Sequence, residues 1–275
     1  MPEGDTAYRA AYHLARALTD RRVIHAELRV PRYATLQLAG LHVHGAESRG
    51  KHILLRVGRW TVHSHLGMDG SWLLLPPRTR RGWPAAHRIR TRLDTDAVIA
   101  LGVDLARLRV WPTERKQEEL GWLGPDLLDP HVDLDLATTR ILTEPERPIT
   151  AALLDQENVA GLGNEYVTEL CFLRGVLPCR TVAECGDIRE WLELARRLML
   201  ANRDRSIRTF TGRTGRGETN YVFARAGRPC RRCGSTIVEG THASGVRRSG
   251  MRDPELDGVG PGGLRVSAWC PNCQR

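Results

Sequence analysis

Four cysteines near the end of the sequence place the strongest constraint on how this chain can fold. Cys230 and Cys233 form one Cys-x-x-Cys pair, and Cys270 and Cys273 form a second pair after 36 intervening residues. Four thiolates at this local spacing match the tetrahedral ligand set of a structural zinc ion. Disulfides are the weaker interpretation in a reducing compartment. The sequence therefore predicts one structural Zn²⁺ bound by these four residues, with the glycine-rich residues 258–263 as a loop at a hairpin tip.

The composition is that of a globular protein. The 275 residues are 41% apolar and 27% charged, which allows one large or two small cores. The sequence has no run of about 18 apolar residues, and its first residues lack the basic and apolar regions of a secretory signal. We therefore expect a cytoplasmic protein with reduced thiols and no membrane partner.

The basic charge is concentrated in one block. The net charge is +9, and nine arginines lie between Arg203 and Arg232, where only Asp204 and Glu218 are acidic. Such a block suits a polyanion, and nucleic acid is the commonest polyanion in the cytoplasm. A solvated basic face is the alternative interpretation, which charge alone leaves open.

The first three residues place an unusual amine beside a carboxylate. Removal of Met1 leaves Pro2 with a secondary amine, which titrates near neutrality and can attack a sugar aldehyde carbon to form an iminium ion. Glu3 is close enough in sequence to donate or accept a proton on the same sugar. A proline that simply starts a helix explains the same residues.

Lysine is rare in this arginine-rich chain. Of the 41 basic residues only Lys51 and Lys116 are lysines, and a lysine amine can be tuned to transfer a proton where arginine cannot. Lys51 follows Gly50 just before a strand-like run, so we expect it to hold a phosphate or donate a proton. Lys116 lies in a charged segment and is expected on a solvated helix surface.

Hydrophobic periodicity divides the chain into a β-rich and a helical part. Residues 5–18 have helical spacing, and residues 22–112 contain short alternating runs typical of an antiparallel sandwich or barrel. Residues 121–135 are rich in Pro, Gly and Asp and indicate a linker. Helices are predicted at residues 137–142, 149–156, 165–173 and 185–202. The paired histidines His42/His44 and His63/His65 are expected to pack rather than bind metal.

A double-glycine segment lies between two of the predicted helices. Gly161 and Gly163 allow a tight turn, and Asn164 is expected to cap the following helix. The N–H groups at such a helix start suit a DNA phosphate. An ordinary helix hairpin is the alternative.

Together these motifs resemble one enzyme family over essentially the whole chain. Residues 1–4, 49–51, 161–164 and 269–274 occur in the order seen in the formamidopyrimidine-DNA glycosylase and endonuclease VIII family. The resemblance implies an α+β fold: an N-terminal antiparallel β-sandwich with flanking helices, a helix–two-turns–helix domain and a zinc finger. The corresponding boundaries are residues 1–120 for the catalytic domain, 121–135 for the linker, 136–226 for the DNA-binding domain and 227–275 for the finger.

The resemblance also assigns roles to individual residues. It implies that Pro2 is the Schiff-base nucleophile, that Glu3 helps open the sugar ring, and that Lys51 contacts phosphate and assists β-elimination. Arg265, five residues before Cys270, matches the finger arginine of δ-elimination and phosphate binding. Asn164 matches the phosphate-binding asparagine.

The expected activity is a bifunctional DNA glycosylase and abasic-site lyase that acts on damaged DNA as a monomer in the bacterial nucleoid. Asp5-Thr6 resembles actinobacterial endonuclease VIII types, which favours oxidised pyrimidines as substrates. Met68 lies in a segment resembling the purine-type void-filling loop, whereas the arginine–phenylalanine segment of purine-type enzymes is absent around residues 103–107. A purine-type glycosylase and a catalytically silent zinc-finger protein that recognises damaged DNA are the alternatives.

Overall fold

A computed structural model describes residues 1–77, 79, 81–243 and 264–275 of the chain. The described residues form two compact units, one over Met1–Gly121 and one from Trp122 onward. The predicted hairpin tip at residues 258–263 lies outside the described residues. Within the described part of the chain, no helix is both long and apolar enough to cross a membrane.

The first unit is a helix followed by two antiparallel sheets of four strands each. One sheet has the order β1-β6-β7-β5 and the other β2-β3-β4-β8. The helices are α1 (Gly4–Leu18) and the short α2 (Lys116–Leu120). The strands are β1 (His25–Leu28), β2 (Val43–Arg49), β3 (His52–Val57), β4 (Trp60–His65), β5 (Ser71–Leu75), β6 (Ile89–Asp94), β7 (Ile99–Val103) and β8 (Arg107–Pro112).

Helix α1 and both sheets contribute to the main hydrophobic core of this unit, and Ile89, Ile99, Leu101 and Val103 form a second, smaller cluster. Ala7, Ala11, Leu14 and Leu18 recur at helical spacing and are each 2% exposed or less, so one stripe of α1 is fully buried. They pack with inward-facing residues of both sheets. Burial of that stripe accounts for most of the stability of α1, because an isolated helix of this length is marginal in water. The predicted sandwich with a flanking helix is confirmed.

Strands β2 and β6 are extended for different reasons. In strand β6 the arginines Arg90 and Arg92 take the outward positions of a strictly alternating burial pattern, and Arg92 pairs with Asp94. Strand β2 contains a register shift between Val43 and Gly45. Pairing with β3 therefore contributes to the extended conformation of β2, whereas β6 has the alternation of a half-buried strand.

The described residues of the second unit form four α-helices and a two-stranded antiparallel sheet. The helices are α3 (Leu134–Leu142), α4 (Ile149–Leu154), α5 (Asn164–Arg174) and α6 (Ile188–Asn202), and the strands are β9 (Val238–Ala243) and β10 (Leu264–Trp269). The predicted start of the last helix at residue 185 is wrong. Cys185 belongs to a short 3-10 helix, and α6 begins at Ile188 because the Asp187 carboxylate caps it by accepting the Arg189 amide at 2.8 Å.

Three histidines form a buried row on the sheet that contains β3 and β4. His52 Nδ1 lies 2.8 Å from His63 Nε2, the His52 and His65 rings are 5.3 Å apart, and Trp111 lies 4.5 Å from the His63 ring. Burial lowers the pKa of His52 and of His63 well below the usual range, and it lowers the pKa of His65 to about 3. The three imidazoles are therefore neutral and serve packing, as the sequence predicted for His63 and His65.

This row predicts an acid-sensitive fold. Below about pH 6.5 the histidines of the unfolded chain take up protons, whereas the buried rings do not. The free energy of unfolding therefore decreases as the pH is lowered, by about 1.4 kcal/mol per pH unit for each ring. Replacing His52 and His63 together with leucine should reduce the stability difference between pH 7.5 and 5.5, measured by urea denaturation. The exposed control His13→Gln should leave that difference unchanged. An unaltered pH dependence in the double variant would contradict the buried neutral state.

Candidate functional site

Pro2 and Glu3 lie at the start of helix α1, as the sequence predicted. Pro2 is half-buried, and Glu3 is the residue immediately before the helix, with its backbone carbonyl accepting the Thr6 and Ala7 amides at 3.0 Å each. The Glu3 side chain is buried, at 1% exposure for the residue. A helix N-terminus attracts negative charge and phosphate. Pro2 and the buried Glu3 are thus consecutive residues at the start of a helix.

Lys51 occupies a two-residue turn between strands β2 and β3. Arg49 pairs with His52 across the turn, and Gly50 adopts a φ of +56° that favours glycine. Lys51 is half-buried, and after burial itself its charge is among the causes that lower the pKa of His65. The turn therefore holds the Lys51 amine beside neutral imidazoles. Lys116, by contrast, is exposed at the start of α2 and pairs with Glu47 at 2.9 Å, as expected for a helix surface.

Met68 is an exposed apolar side chain on a tightly held turn. It is 59% exposed between β4 and β5. The amide of Gly67 donates to His65 Nδ1 at 3.1 Å, and the amide of Gly70 donates to the Leu66 carbonyl at 2.9 Å. A Cβ at Gly70 would lie 2.2 Å from that carbonyl oxygen, so only glycine fits. The backbone of the turn is thus fixed on both sides of the exposed Met68.

The segment between α4 and α5 contains a turn at residues 156–158 and is held by side-chain hydrogen bonds. Asp155 Oδ1 accepts the Glu157 amide at 3.0 Å, and Gln156 Oε1 accepts the Gly161 amide at 3.0 Å. Gly161 has a φ of +111°, a conformation that other residues rarely adopt. These bonds and the Gly161 conformation stabilise the segment that directly precedes α5.

Asn164 does not cap helix α5, contrary to the sequence prediction. Gly163 holds the capping position in an extended conformation, and Asn164 is the first helical residue. The Asn164 amide nitrogen instead donates to the Val266 carbonyl of β10 at 2.7 Å. Since Arg265 precedes Val266, this bond ties the start of α5 to the strand that carries Arg265. Arg265 itself is 8% exposed.

The four predicted zinc ligands lie together. The Sγ atoms of Cys230 and Cys273 are 4.0 Å apart, those of Cys233 and Cys270 are 3.4 Å apart, and all four lie within 4.8 Å of one another. Thiolates around one tetrahedral zinc ion are separated by about 3.8 Å, given a Zn–S distance of about 2.3 Å. The cluster therefore fits a single metal ion.

The arginine-rich loop, defined as residues 203–219, begins the basic block. Two of the block's nine arginines are largely buried: Arg208 pairs with Glu165, and Arg225 donates to the Pro229 carbonyl at 2.8 Å. Arg231 donates to the Asn220 carbonyl at 3.1 Å but remains exposed. The other exposed members include Arg205, Arg213, Arg216, Arg228 and Arg232. The sequence could not separate these two groups.

Glu169 is a buried acid that the sequence analysis missed. Its carboxylate accepts the amides of Tyr221, Val222 and Phe223 at 2.7 to 2.8 Å. Burial raises the pKa of Glu169 to about 7, whereas the three amide donors lower it. Glu169 therefore anchors the segment that follows the arginine-rich loop to helix α5. The available sequence signal is a single charged residue, Glu169, in the uncharged helical run from Val167 to Phe172.

The predicted site residues thus divide between the two units. Pro2, Glu3, Lys51 and Met68 belong to the first unit, and Asn164, Arg265 and the four clustered cysteines belong to the second. Within the second unit, the Asn164–Val266 bond brings two of the predicted DNA-contacting positions together.

Comparison with known proteins matches both units to one family. Residues 1–109 match the formamidopyrimidine-DNA glycosylase N-terminal domain, and residues 123–191 match the formamidopyrimidine-DNA glycosylase H2TH domain. The complex between Lactococcus lactis Fpg and abasic-site-containing DNA has the same fold, with a TM-score of 0.75 at 21% identity over 99% of each chain.

Two actinobacterial proteins are similar over the full chain. "Probable endonuclease 8 2" of Streptomyces coelicolor is 43% identical over 277 residues, covering 100% of this chain and 94% of that protein. "DNA-(apurinic or apyrimidinic site) lyase Nei2" of Mycolicibacterium smegmatis is 39% identical, covering 100% and 99%. With the domain matches, this similarity shows that the chain belongs to the formamidopyrimidine-DNA glycosylase and endonuclease VIII family.

Proposed function

We propose that this protein is a bifunctional DNA glycosylase and abasic-site lyase of base-excision repair, of the endonuclease VIII type. The observation that carries the proposal is the placement of Pro2 directly before the buried Glu3 at the start of α1. The full-length relative from Mycolicibacterium smegmatis is named an abasic-site lyase. A protein that only recognises damaged DNA has no need for this arrangement.

The proposed reaction begins with the amine of Pro2. With Met1 removed, the Pro2 nitrogen attacks the sugar carbon that carries the damaged base, and the base leaves with the electrons of the broken bond and a proton. Glu3 donates a proton to the ring oxygen, which opens the sugar and leaves an iminium ion. The positive charge acidifies the neighbouring carbon, whose deprotonation expels the 3′-phosphate, and a second elimination expels the 5′-phosphate.

Lys51 and Arg265 act on the phosphates in this proposal. Lys51 holds a phosphate and assists β-elimination, because its amine can transfer a proton and arginine cannot. Arg265 binds phosphate and supports δ-elimination. Asn164 contacts phosphate through the second hydrogen of its amide, since its first is donated to Val266.

The partner in this proposal is damaged DNA, bound by a monomer in the bacterial nucleoid. The target nucleotide must leave the stack before the Pro2 amine can reach its sugar. Met68, exposed on its rigid turn, fills the space left in the duplex. Phosphate contacts from the exposed arginines make the affinity fall steeply with salt.

The bound metal is proposed to be zinc with a structural role. The four cysteine sulfurs provide all four tetrahedral positions, which leaves none for substrate. Binding there would fix the two Cys-x-x-Cys turns and, through β10, the position of Arg265.

An unblocked Pro2 nitrogen is required for activity. Retaining Met1, or adding an N-terminal tag, makes this nitrogen an amide, which should lower cleavage of an abasic oligonucleotide by about 1,000-fold or more. A tag of equal length at the C-terminus is the control. DNA affinity should change little in either protein. Cleavage at the normal rate by the N-terminally blocked protein would refute the proposed nucleophile.

One zinc ion per chain is expected by elemental analysis of freshly purified protein. Cys233→Ser should lower the zinc content and weaken DNA binding by about tenfold, because second-unit phosphate contacts lose their support. The matched control is Cys179→Ser, which changes an exposed cysteine outside the cluster. Zinc-free protein that binds DNA normally would contradict the assignment.

Oxidised pyrimidines should be processed faster than 8-oxoguanine opposite cytosine. Residues 103–107 offer no exposed aromatic to hold an orphaned cytosine, and Leu105 is buried at 3% exposure. Non-planar thymine glycol stacks poorly, and a difference of about 1–2 kcal/mol in unstacking shifts the rate by about tenfold. Single-turnover rates on matched duplexes measure this preference. A faster rate on 8-oxoguanine would instead indicate a purine-type enzyme.

A further inference from the structure

Glu165, the second residue of helix α5, lies at the centre of a half-buried polar cluster. Its Oε2 atom is 2.6 Å from Arg208 Nη1, with the two side chains 11% and 12% exposed, and its Oε1 atom accepts Asn220 Nδ2 at 3.1 Å. The Arg208 guanidinium also lies 5.1 Å from the centre of the Tyr166 ring. One carboxylate therefore binds two residues that are far from it in sequence.

The two partners of Glu165 flank residues 209–219, which form most of the arginine-rich loop. Between Arg208 and Asn220 the loop closes on itself: the Phe210 amide donates to the Thr219 carbonyl at 2.8 Å, and Thr211 Oγ1 donates to the Glu218 carbonyl at 2.7 Å. Glu165 thus holds both ends of a closed loop against the start of α5.

Much of the positive charge on this loop is exposed to solvent. Arg205, Arg213 and Arg216 are exposed, and the loop's own acids, Asp204 and Glu218, do not balance its arginines. Glu165 directly follows Asn164, so its cluster connects the loop to the helix start. The loop and Asn164 are therefore both held at the start of α5.

We propose that Glu165 is a positioning residue that holds the arginine-rich loop so that its exposed arginines bind DNA phosphates together with Asn164. The inference rests on the proposed DNA-repair function and deepens it, since Glu165 itself touches no DNA. Glu165 thus supports DNA binding indirectly, although its own negative charge would repel the DNA phosphates.

The salt dependence of DNA binding distinguishes positioning from a merely structural role. The slope of log affinity against log salt changes by about 0.9 for each phosphate contact in duplex DNA. A partly unfolded protein lowers the apparent affinity equally at every salt concentration and leaves the slope unchanged. A misplaced loop loses phosphate contacts, so the slope itself becomes shallower.

The test compares Glu165→Gln with Glu193→Gln on a duplex containing a stable abasic-site analogue, by fluorescence anisotropy at several salt concentrations. Both variants lose one negative charge, and Glu193 forms an exposed pair with Arg189 on α6. Glu165→Gln should bind about tenfold more weakly at low salt with a slope shallower by about 1 to 2. Glu193→Gln should keep the wild-type slope.

Asn220→Ala provides a second variant if Glu165→Gln fails to fold. It removes the other partner of the carboxylate without changing any charge, and it should also give a shallower slope. Unchanged slopes in the folded variants, with wild-type protein binding normally, would overturn the positioning role alone. Absence of specific binding by wild-type protein would instead overturn the proposed function.

Discussion

Polar side chains of helix α5 form hydrogen bonds and an ion pair with residues that are distant in sequence, and these contacts connect several segments of the second unit. Asn164 bonds the backbone of β10, Glu165 holds the ends of the arginine-rich loop, and Glu169 accepts three consecutive amides of residues 221–223. A buried carboxylate is costly unless donors surround it. These glutamates meet that condition, so the helix fixes the flanking segments in defined positions.

In the first unit, rigid secondary structure positions each proposed reactive residue. Pro2 precedes a helix whose apolar stripe is fully buried, and Lys51 lies in a two-residue hairpin turn. His52 and His65, whose pKa values are lowered first by burial and also by the Lys51 charge, are neutral and add no competing positive charge. Reactive groups held on helices and hairpins in this way lose little freedom when substrate binds, which favours catalysis.

Much of the fold could be predicted because its signals are local. The stripe of α1 and the spacing within each Cys-x-x-Cys pair follow from residues close in sequence, and both lead to correct predictions. Asn164 was wrongly predicted to be a cap because Gly163 occupies that position, leaving the Asn164 amide to bond a strand about 100 residues away. The carboxylate contacts of Glu165 and Glu169 are equally long-range, and no local pattern encodes them. The roles of Pro2, Glu3 and Lys51 came from the family resemblance together with their chemistry.

The central claim is that the Pro2 nitrogen forms the covalent bond to DNA. Borohydride reduction during reaction with abasic DNA traps such a bond, and mass spectrometry of the digested adduct locates it. The chain has only two lysines, Lys51 and Lys116, as competing side-chain amines. The account predicts a deoxyribose adduct on the nitrogen of a peptide that begins at Pro2. An adduct on Lys51, or strand cleavage with no trapped adduct, would contradict it.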